Sequence, residues 1–389
     1  MRKVSLALAV TLLVVVSLGA QTVPRMTVFP QIAVGGDWTS DFFVTNQGFT
    51  TVQGIDLSLF NDDGSHKVVD TPDLGSTWTF GFNLAPGETK VIRATAVNAT
   101  APQGFAELYA PPLSSLRATM VVRWAPGGQI ATQLGIPEQF PFSMFSVAGE
   151  VNALGNTALA IAIPTFGYTD VRNQQVLVSV MNQSGTIVGT QSVPVLVGQH
   201  TAFFLRDLFA NLNLTDFRGR VIVNGSDWLG VAALRQEGPS LGTVAVDDGA
   251  ALSPFFLSQA TTPEVEPNNS VAGAQALTLP TVISGVISSS SDVDYYSFTG
   301  NQGDIVSAMT DTTSSGVVSD LDSQISLLNS QGNEIAYNDQ NGTRGANEND
   351  SLIRMVLPYT GTYTLVVSDY WGDGGATFGY RLHVKIQTP

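Results

Sequence analysis

The chain has 389 residues, with 32 acidic against 17 basic side chains, a formal net charge of −15 and no cysteine. That balance repels nucleic acid and anionic lipid, so neither is expected as a partner, and the missing cysteines exclude a disulfide framework and thiol chemistry. At this length two or three domains are expected, each large enough for its own hydrophobic core.

Met1-Arg2-Lys3 is a short basic segment, Val4 to Leu18 is almost wholly apolar, and Ser17-Leu18-Gly19-Ala20 offers small residues for cleavage. Residues 1–20 therefore read as a secretory signal peptide. The apolar run is only about 15 residues, short of the roughly 20 that a spanning helix needs. No cysteine follows to accept a lipid, and no later stretch is long and apolar enough to span, so no membrane span is expected in the mature protein. Loss of Arg2 and Lys3 takes the charge from −15 to −17. The expected address is secreted, extracellular or periplasmic.

From Thr27 to Leu257 short apolar runs alternate with turn residues. Phe42-Phe43-Val44, Ile55-Asp56-Leu57-Ser58-Leu59-Phe60 and Ala118-Thr119-Met120-Val121-Val122 are typical. No long stretch keeps a helical period, which predicts antiparallel β-sandwiches; the best helix candidate is the short Leu205-Arg206-Asp207-Leu208-Phe209. Leu57–Gly64 answers to Val178–Gly185, Leu84–Thr89 to Leu196–Thr201, and Gly104–Leu108 with Val121–Arg123 to Gly219–Val223 with Ala233–Arg235. The order is kept and the offsets are all about 115 residues, one seven-stranded sandwich per copy. The expected division is 25–138 and 139–257 as two repeats, 258–263 as a linker, and 264–389 as a third sandwich.

An Asn-x-x-Gly turn ends an apolar strand three times, at Asn61–Gly64, Asn182–Gly185 and Asn329–Gly332. Acidic residues occupy only the first copy, so these read as tight hairpins rather than cation loops. In the last region, strands are expected over Tyr295–Phe298, Ile305–Met309, Ser351–Leu357, Gly361–Val367 and Tyr380–Ile386.

Nothing in the sequence marks a catalytic centre, and no catalytic residue is assigned. The chain holds three histidines, His66, His200 and His383; each follows a turn or alternates with charged residues, as surface histidines do. Nucleophile elbows, metalloprotease helices and phosphate-binding glycine loops are absent. Asp247-Asp248 is a carboxylate pair, but neighbours on a strand point to opposite faces.

The acidic clusters of the last region differ. Glu264 and Glu266 lie two apart in an extended segment stiffened by Pro267 and followed by Asn268 and Asn269. Asp292 and Asp294 repeat that spacing before an aromatic strand. If the two segments pack together, up to about six oxygens converge, within the number that Ca²⁺ prefers; two solvated acidic turns are the alternative.

Residues 264–386 resemble the bacterial pre-peptidase C-terminal domain, which includes the collagen-binding modules of clostridial collagenases. The resemblance rests on Glu266-Pro267-Asn268-Asn269, Gly285-Val286-Ile287, Asp292-Val293-Asp294-Tyr295-Tyr296-Ser297-Phe298, Gly303-Asp304, Leu321-Asp322, Asn338-Asp339, Gly361–Val367 and Gly379-Tyr380. It implies a jelly-roll-like sandwich and, as in the calcium-binding members, a Ca²⁺ site at Glu264, Glu266, Asn268, Asn269, Asp292 and Asp294. Asn269 stands where an Asp is common, which removes a charge. The family usually trails a secreted protease, whereas the upstream 230 or so residues carry no protease motif and resemble duplicated sandwich modules of bacterial exported proteins.

A second candidate site is the loop Asp369-Tyr370-Trp371-Gly372-Asp373-Gly374-Gly375. Its Tyr370 and Trp371 can anchor a ligand or fold back on the sandwich edge. The reading that results is an all-β, noncatalytic, secreted protein of tandem sandwiches. Its last, calcium-stabilised domain would bind an extracellular protein or polysaccharide surface or the cell envelope. The rivals are a secreted hydrolase with an unrecognised site and a structural envelope spacer.

Overall fold

The structure, a computed structural model, describes residues 25–96, 102–111, 114–165, 175–212, 214–238, 240–247, 260–312, 319–339 and 349–387. The signal segment 1–20 and Asp248 lie outside them. The fold is all-β, built of tandem antiparallel sandwiches.

The first ten strands are β1 (Arg25–Ala33), β2 (Trp38–Asn46), β3 (Val52–Phe60), β4 (Val69–Thr71), β5 (Gly75–Thr77), β6 (Thr79–Leu84), β7 (Thr89–Ala96), β8 (Gln103–Ala110), β9 (Leu116–Trp124) and β10 (Thr132–Pro137). They form a four-stranded sheet, β1-β8-β3-β6, and a six-stranded sheet, β10-β9-β2-β7-β4-β5. Period-2 patterning puts one face of each inward: along β9, Leu116, Ala118, Met120 and Val122 are buried and alternate with more exposed residues. Phe29 and Phe42 meet edge to face at 5.3 Å between the layers. Burying such a ring fully is worth about 1.5–3 kcal/mol.

Next come β11 (Phe142–Val151), β12 (Gly155–Ala162), β13 (Gln175–Asn182), β14 (Ile187–Pro194), β15 (His200–Phe204), the one-turn helix α1 (Leu205–Leu208), β16 (Phe217–Glu237), β17 (Ser240–Val244) and β18 (Val246–Asp247). Strand β16 spans 21 residues. Its first part, 217–225, runs between β11 and β13; its last, 230–237, runs between β12 and β17. One long strand thereby joins two halves around a single core that includes Val147, Ile161, Val178, Val223 and Val231. The strand orders correspond to those of the first sandwich. β11-β16-β13-β14 answers to β1-β8-β3-β6, and β17-β16-β12-β15 answers to β10-β9-β2-β7.

The last region holds β19 (Thr262–Pro263), β20 (Gln275–Ala276), β21 (Thr281–Val286), β22 (Asp294–Gly300), β23 (Ile305–Asp311), β24 (Ser323–Leu328), β25 (Glu334–Asn338), β26 (Leu352–Val356), β27 (Gly361–Asp369) and β28 (Gly379–Gln387). Two five-stranded sheets, β19-β21-β28-β23-β26 and β20-β22-β27-β24-β25, enclose Tyr296, Tyr363, Leu365 and Tyr380. β19 adds in parallel to β21, through Thr262 opposite Ile283 and Pro263 opposite Ser284. This addition lays the segment that follows, beginning at Glu264, across the end of the sheet.

The units touch through specific contacts. β1 is buried along its whole length because β12 and β16 cover what would otherwise be its wet side. Glu107 of β8, only 2% exposed, accepts hydrogen bonds from the Thr165 amide (2.6 Å) and hydroxyl (2.8 Å). His200 Nδ1 meets Asp62 Oδ1 at 2.9 Å. Met144, Met181 and Ile222 on the outer face of the second sandwich pack on Val356 of the third.

The histidines depart from expectation. Only His66 is exposed, stacked on Trp78 at 3.6 Å; His200 and His383 are buried. Both take a carboxylate neighbour, Asp62 and Asp311 respectively. Each strand's local pattern marks a wet face, but a neighbouring surface covers it. The three Asn-x-x-Gly turns are hairpins, as predicted. Gly64, Gly185 and Gly332 have φ of 83°, 82° and 79°, and each donates its amide to the Asn carbonyl.

Candidate metal centre

The segment after β19 crosses the start of β22. Among the described residues, Glu264, Glu266 and Asp294 bring one carboxylate oxygen each within 4.8 Å of one another. Asp294 is fully buried, Glu264 half-buried and Glu266 exposed. The backbone holds this geometry: Glu264 N donates to Ser284 O at 3.0 Å and Tyr295 N donates to Asn268 O at 3.0 Å. Gly285 makes room, since a Cβ there would stand 2.7 Å from Glu264 Oε2 and 2.6 Å from the Tyr380 hydroxyl.

Two tyrosines form the inner wall. The Tyr380 hydroxyl donates to Asp294 Oδ2, Tyr296 and Tyr380 share a hydrogen bond at 2.7 Å, and Tyr296 reaches Glu264 Oε2 at 3.5 Å. Glu264 Oε1 also accepts from Val286 N at 2.9 Å. These bonds do not offset the crowding of charge. Burial, then repulsion from Asp294, pushes the Glu264 carboxyl up to about 8. Burial, opposed by the Tyr380 bond and helped by the Asp292 charge, pushes Asp294 up to about 6.

Some polar atoms here lack protein partners. Asp294 Oδ1 and both side-chain amide atoms of Asn268 are buried without a hydrogen bond, and the Asn268 side chain is fully inaccessible. Such atoms cost about 1–3 kcal/mol each unless something satisfies them. The donor set is all oxygen apart from the amide nitrogen, which suits a hard cation such as Ca²⁺.

The remaining two sequence-predicted ligands stand slightly apart. Asp292 Oδ2 accepts from Ser288 N at 2.6 Å and Ser288 Oγ at 2.7 Å. A terminal amide atom of Asn269 lies 2.7 Å from Asp292 Oδ1 and 3.0 Å from Val293 O. A nitrogen in that position donates to both. Sequence reasoning did not single out Tyr296, Tyr380 and Ser288 as site residues. Tyr296 and Tyr380 sit in motifs that carry the family resemblance, which is the signal that could have found them.

At the other candidate site Trp371 is 74% exposed and its Nε1 donates to Asp322 Oδ2 at 3.0 Å. Asp369 Oδ2 accepts from the amides of Trp371 (2.9 Å) and Asp373 (3.0 Å), and Tyr370 meets the indole edge at 5.0 Å. The ring is tethered but not covered.

Residues 292–369 match the family of the bacterial pre-peptidase C-terminal domain. The match takes in Asp292 and Asp294, ends at Asp369 just before Tyr370 and Trp371 and short of the last strand, and the Glu264–Asn269 segment precedes it. A stretch of 105 residues is 36% identical to a protein named "Probable subtilase-type serine protease" from Deinococcus radiodurans, covering 26% of this chain and 14% of that relative. The chain thus spans a small part of the relative's length. No described helix is long and apolar enough to cross a membrane.

Proposed function

We propose that this is a secreted, noncatalytic protein whose C-terminal sandwich, stabilised by calcium, fastens it to an extracellular polymer, protein matrix or cell envelope. One observation carries the calcium part: Glu264, Glu266 and Asp294 converge beside buried oxygens of Asp294 and Asn268 that no protein group satisfies. In this reading Glu264, Glu266, Asn268 and Asp294 hold the ion, and Asn269 with Asp292 stands beside it. A bound cation supplies positive charge that lets the three carboxylates ionise together. The residues themselves tie the segment after β19 to β22, and so order the start of the domain.

With a dissociation constant of roughly 10⁻⁴ to 10⁻³ M, common for extracellular modules, millimolar calcium adds about 0.4–1.4 kcal/mol. Calcium therefore orders the segment more than it decides whether the domain folds. The exposed, tethered Trp371 with Tyr370 is the surface anchor in this reading. The corresponding strand orders of the first two sandwiches support an internal duplication that builds a stalk carrying the last domain.

Calorimetry of the full mature chain from zero calcium to about 10 mM, roughly tenfold above the upper expected constant, tests the metal. A melting curve that does not move rejects it. The named relative favours a second reading, a peptidase-associated protein or hydrolase with an unrecognised site. Turnover of casein, collagen or polysaccharides by the mature chain would establish that reading and defeat the noncatalytic one.

A further inference from the structure

A second feature lies away from the metal centre, on the outer face of the second sandwich. A groove of about 860 Å³ is lined by Glu150, Asn182, Ser184, Arg218, Arg220 and Arg235, among others. Its larger apolar lining side chains are only Met181 and Val244. Three of the chain's 17 cationic residues line one groove of a protein with net charge −15.

The three arginines are not equivalent. Glu150, 14% exposed, is already engaged by Arg218 Nε at 3.1 Å and by Arg235, and Arg235 also pairs with Glu237 at 2.5 Å. Arg218 nevertheless leaves its side chain 64% exposed. Arg220 is exposed on the same face of β16, two residues on, and no carboxylate of the described residues pairs with it.

The third sandwich extends the cationic surface. Ile222 of β16 packs on Val356 of β26. Arg220 and Arg354 each stand two residues before that contact, on the same faces of their strands. Arg354 and Lys385 lie on opposite sides of Ser307 in the sheet register. The proximity shows in the charges: burial first, then Arg220, lowers Arg354 against the pull of Asp247, and Arg354 helps burial to lower Lys385.

We propose that this groove binds an acidic polysaccharide, with Arg218 and Arg220 clamping its carboxylate or sulfate groups and Arg354 and Lys385 continuing the track. Guanidinium groups present paired donors that match planar oxyanions. The polar lining of Asn, Ser and Thr side chains suits sugar hydroxyls better than the mixed apolar side chains of a peptide. The groove is separate from the metal centre, so its ligand needs no calcium.

Affinity electrophoresis of the full mature chain, at low salt and with EDTA present, tests this. The gels contain polygalacturonate, dextran sulfate, neutral dextran or polyglutamate. Retention is expected on polygalacturonate, dextran sulfate or both, which separates carboxylate from sulfate recognition, and not on neutral dextran. Arg220→Glu should weaken retention at least about tenfold, while Arg117→Glu, an equal charge change on the exposed face of β9, stays within about twofold. Melting curves confirm that both variants fold. Absence of retention on both acidic polysaccharides, equal losses in the two variants, or equal retention on polyglutamate would overturn the proposal. Asp294→Asn is expected to keep full retention, so failure here and failure of the calcium reading are distinguishable.

Discussion

Asp294 and Tyr380, 86 residues apart in the chain, are hydrogen-bonded inside the last sandwich, the hydroxyl donating to the carboxylate. The bond links the first aromatic strand to the last strand of the domain, and it ends on the carboxylate that converges with Glu264 and Glu266. Packing of the core and geometry of the carboxylate cluster are thereby one structural problem: whatever places Tyr380 in the core also aims Asp294.

Substituting Asp294→Asn keeps shape and an acceptor for Tyr380 while removing one of three crowded charges. Without calcium the variant is expected to melt at the same temperature as the parent or a few degrees higher, because repulsion with Glu264 is relieved. With several millimolar calcium the parent should gain about 1 kcal/mol and the variant almost nothing. Scanning calorimetry with and without chelator reads both effects. A variant that still responds fully to calcium would remove Asp294 from the site.

The same carboxylates set a pH dependence. Glu264 and Asp294 rise from ordinary values of 4.5 and 3.8 to about 8 and about 6 in the folded, calcium-free protein. Their folded values lie above the unfolded ones, so the protonated forms favour folding. That contribution is complete below about pH 4 and is lost as pH rises through 6 and then 8. Calcium-free stability should therefore fall across this window, and saturating calcium should flatten or reverse the slope. At pH 7 binding should release about one proton, chiefly from Glu264. Titration calorimetry in buffers of different ionisation enthalpy measures it, and a buffer-independent enthalpy would contradict the raised Glu264.

Gly285→Ala places a methyl group where only 2.6–2.7 Å separate it from the Tyr380 hydroxyl and Glu264 Oε2. Both neighbours are held, one in the core and one by Val286 N, so neither can move away freely. The expected loss is about 1–3 kcal/mol, together with most of the calcium response. Denaturant unfolding with and without calcium distinguishes this from a packing defect alone, which would leave the calcium increment intact.

Much of this architecture was legible in local patterns. Alternation along β9 and β22, the asparagine–glycine hairpins and the short helix at Leu205 all follow from periodicity and backbone preference, which neighbours do not alter. The carboxylate cluster was partly legible, because the two-residue spacing of Glu264 and Glu266 points both to one side, toward Asp294. What spacing does not encode is which oxygen a neighbour has already taken. Asp292 is engaged by Ser288, four residues earlier, and its other oxygen by Asn269. Burial that arises between units was equally hidden. His200 lies on a strand whose local pattern reads as wet, yet it is buried with its ring against Asp62 of the first sandwich.

The aromatic loop yields a test of attachment that is independent of folding. Trp371 is 74% exposed and its one side-chain bond, to Asp322, crosses a solvent-facing turn. Trp371→Ala should leave the melting temperature within about 1 °C, since little apolar surface returns to water. If the ring anchors the protein, the same change should cut retention on the insoluble polymer or matrix it binds by about tenfold or more, the usual weight of a central aromatic. Asp322→Ala should give an intermediate loss, because the indole keeps its chemistry and loses its fixed direction, and the entropy of re-ordering one side chain is about 0.5–1.5 kcal/mol. Co-sedimentation with collagen, chitin, cellulose and isolated envelopes measures all three proteins side by side. Equal sedimentation of parent and Trp371→Ala on every surface would leave the loop as an ordinary hairpin and move attachment elsewhere on the molecule.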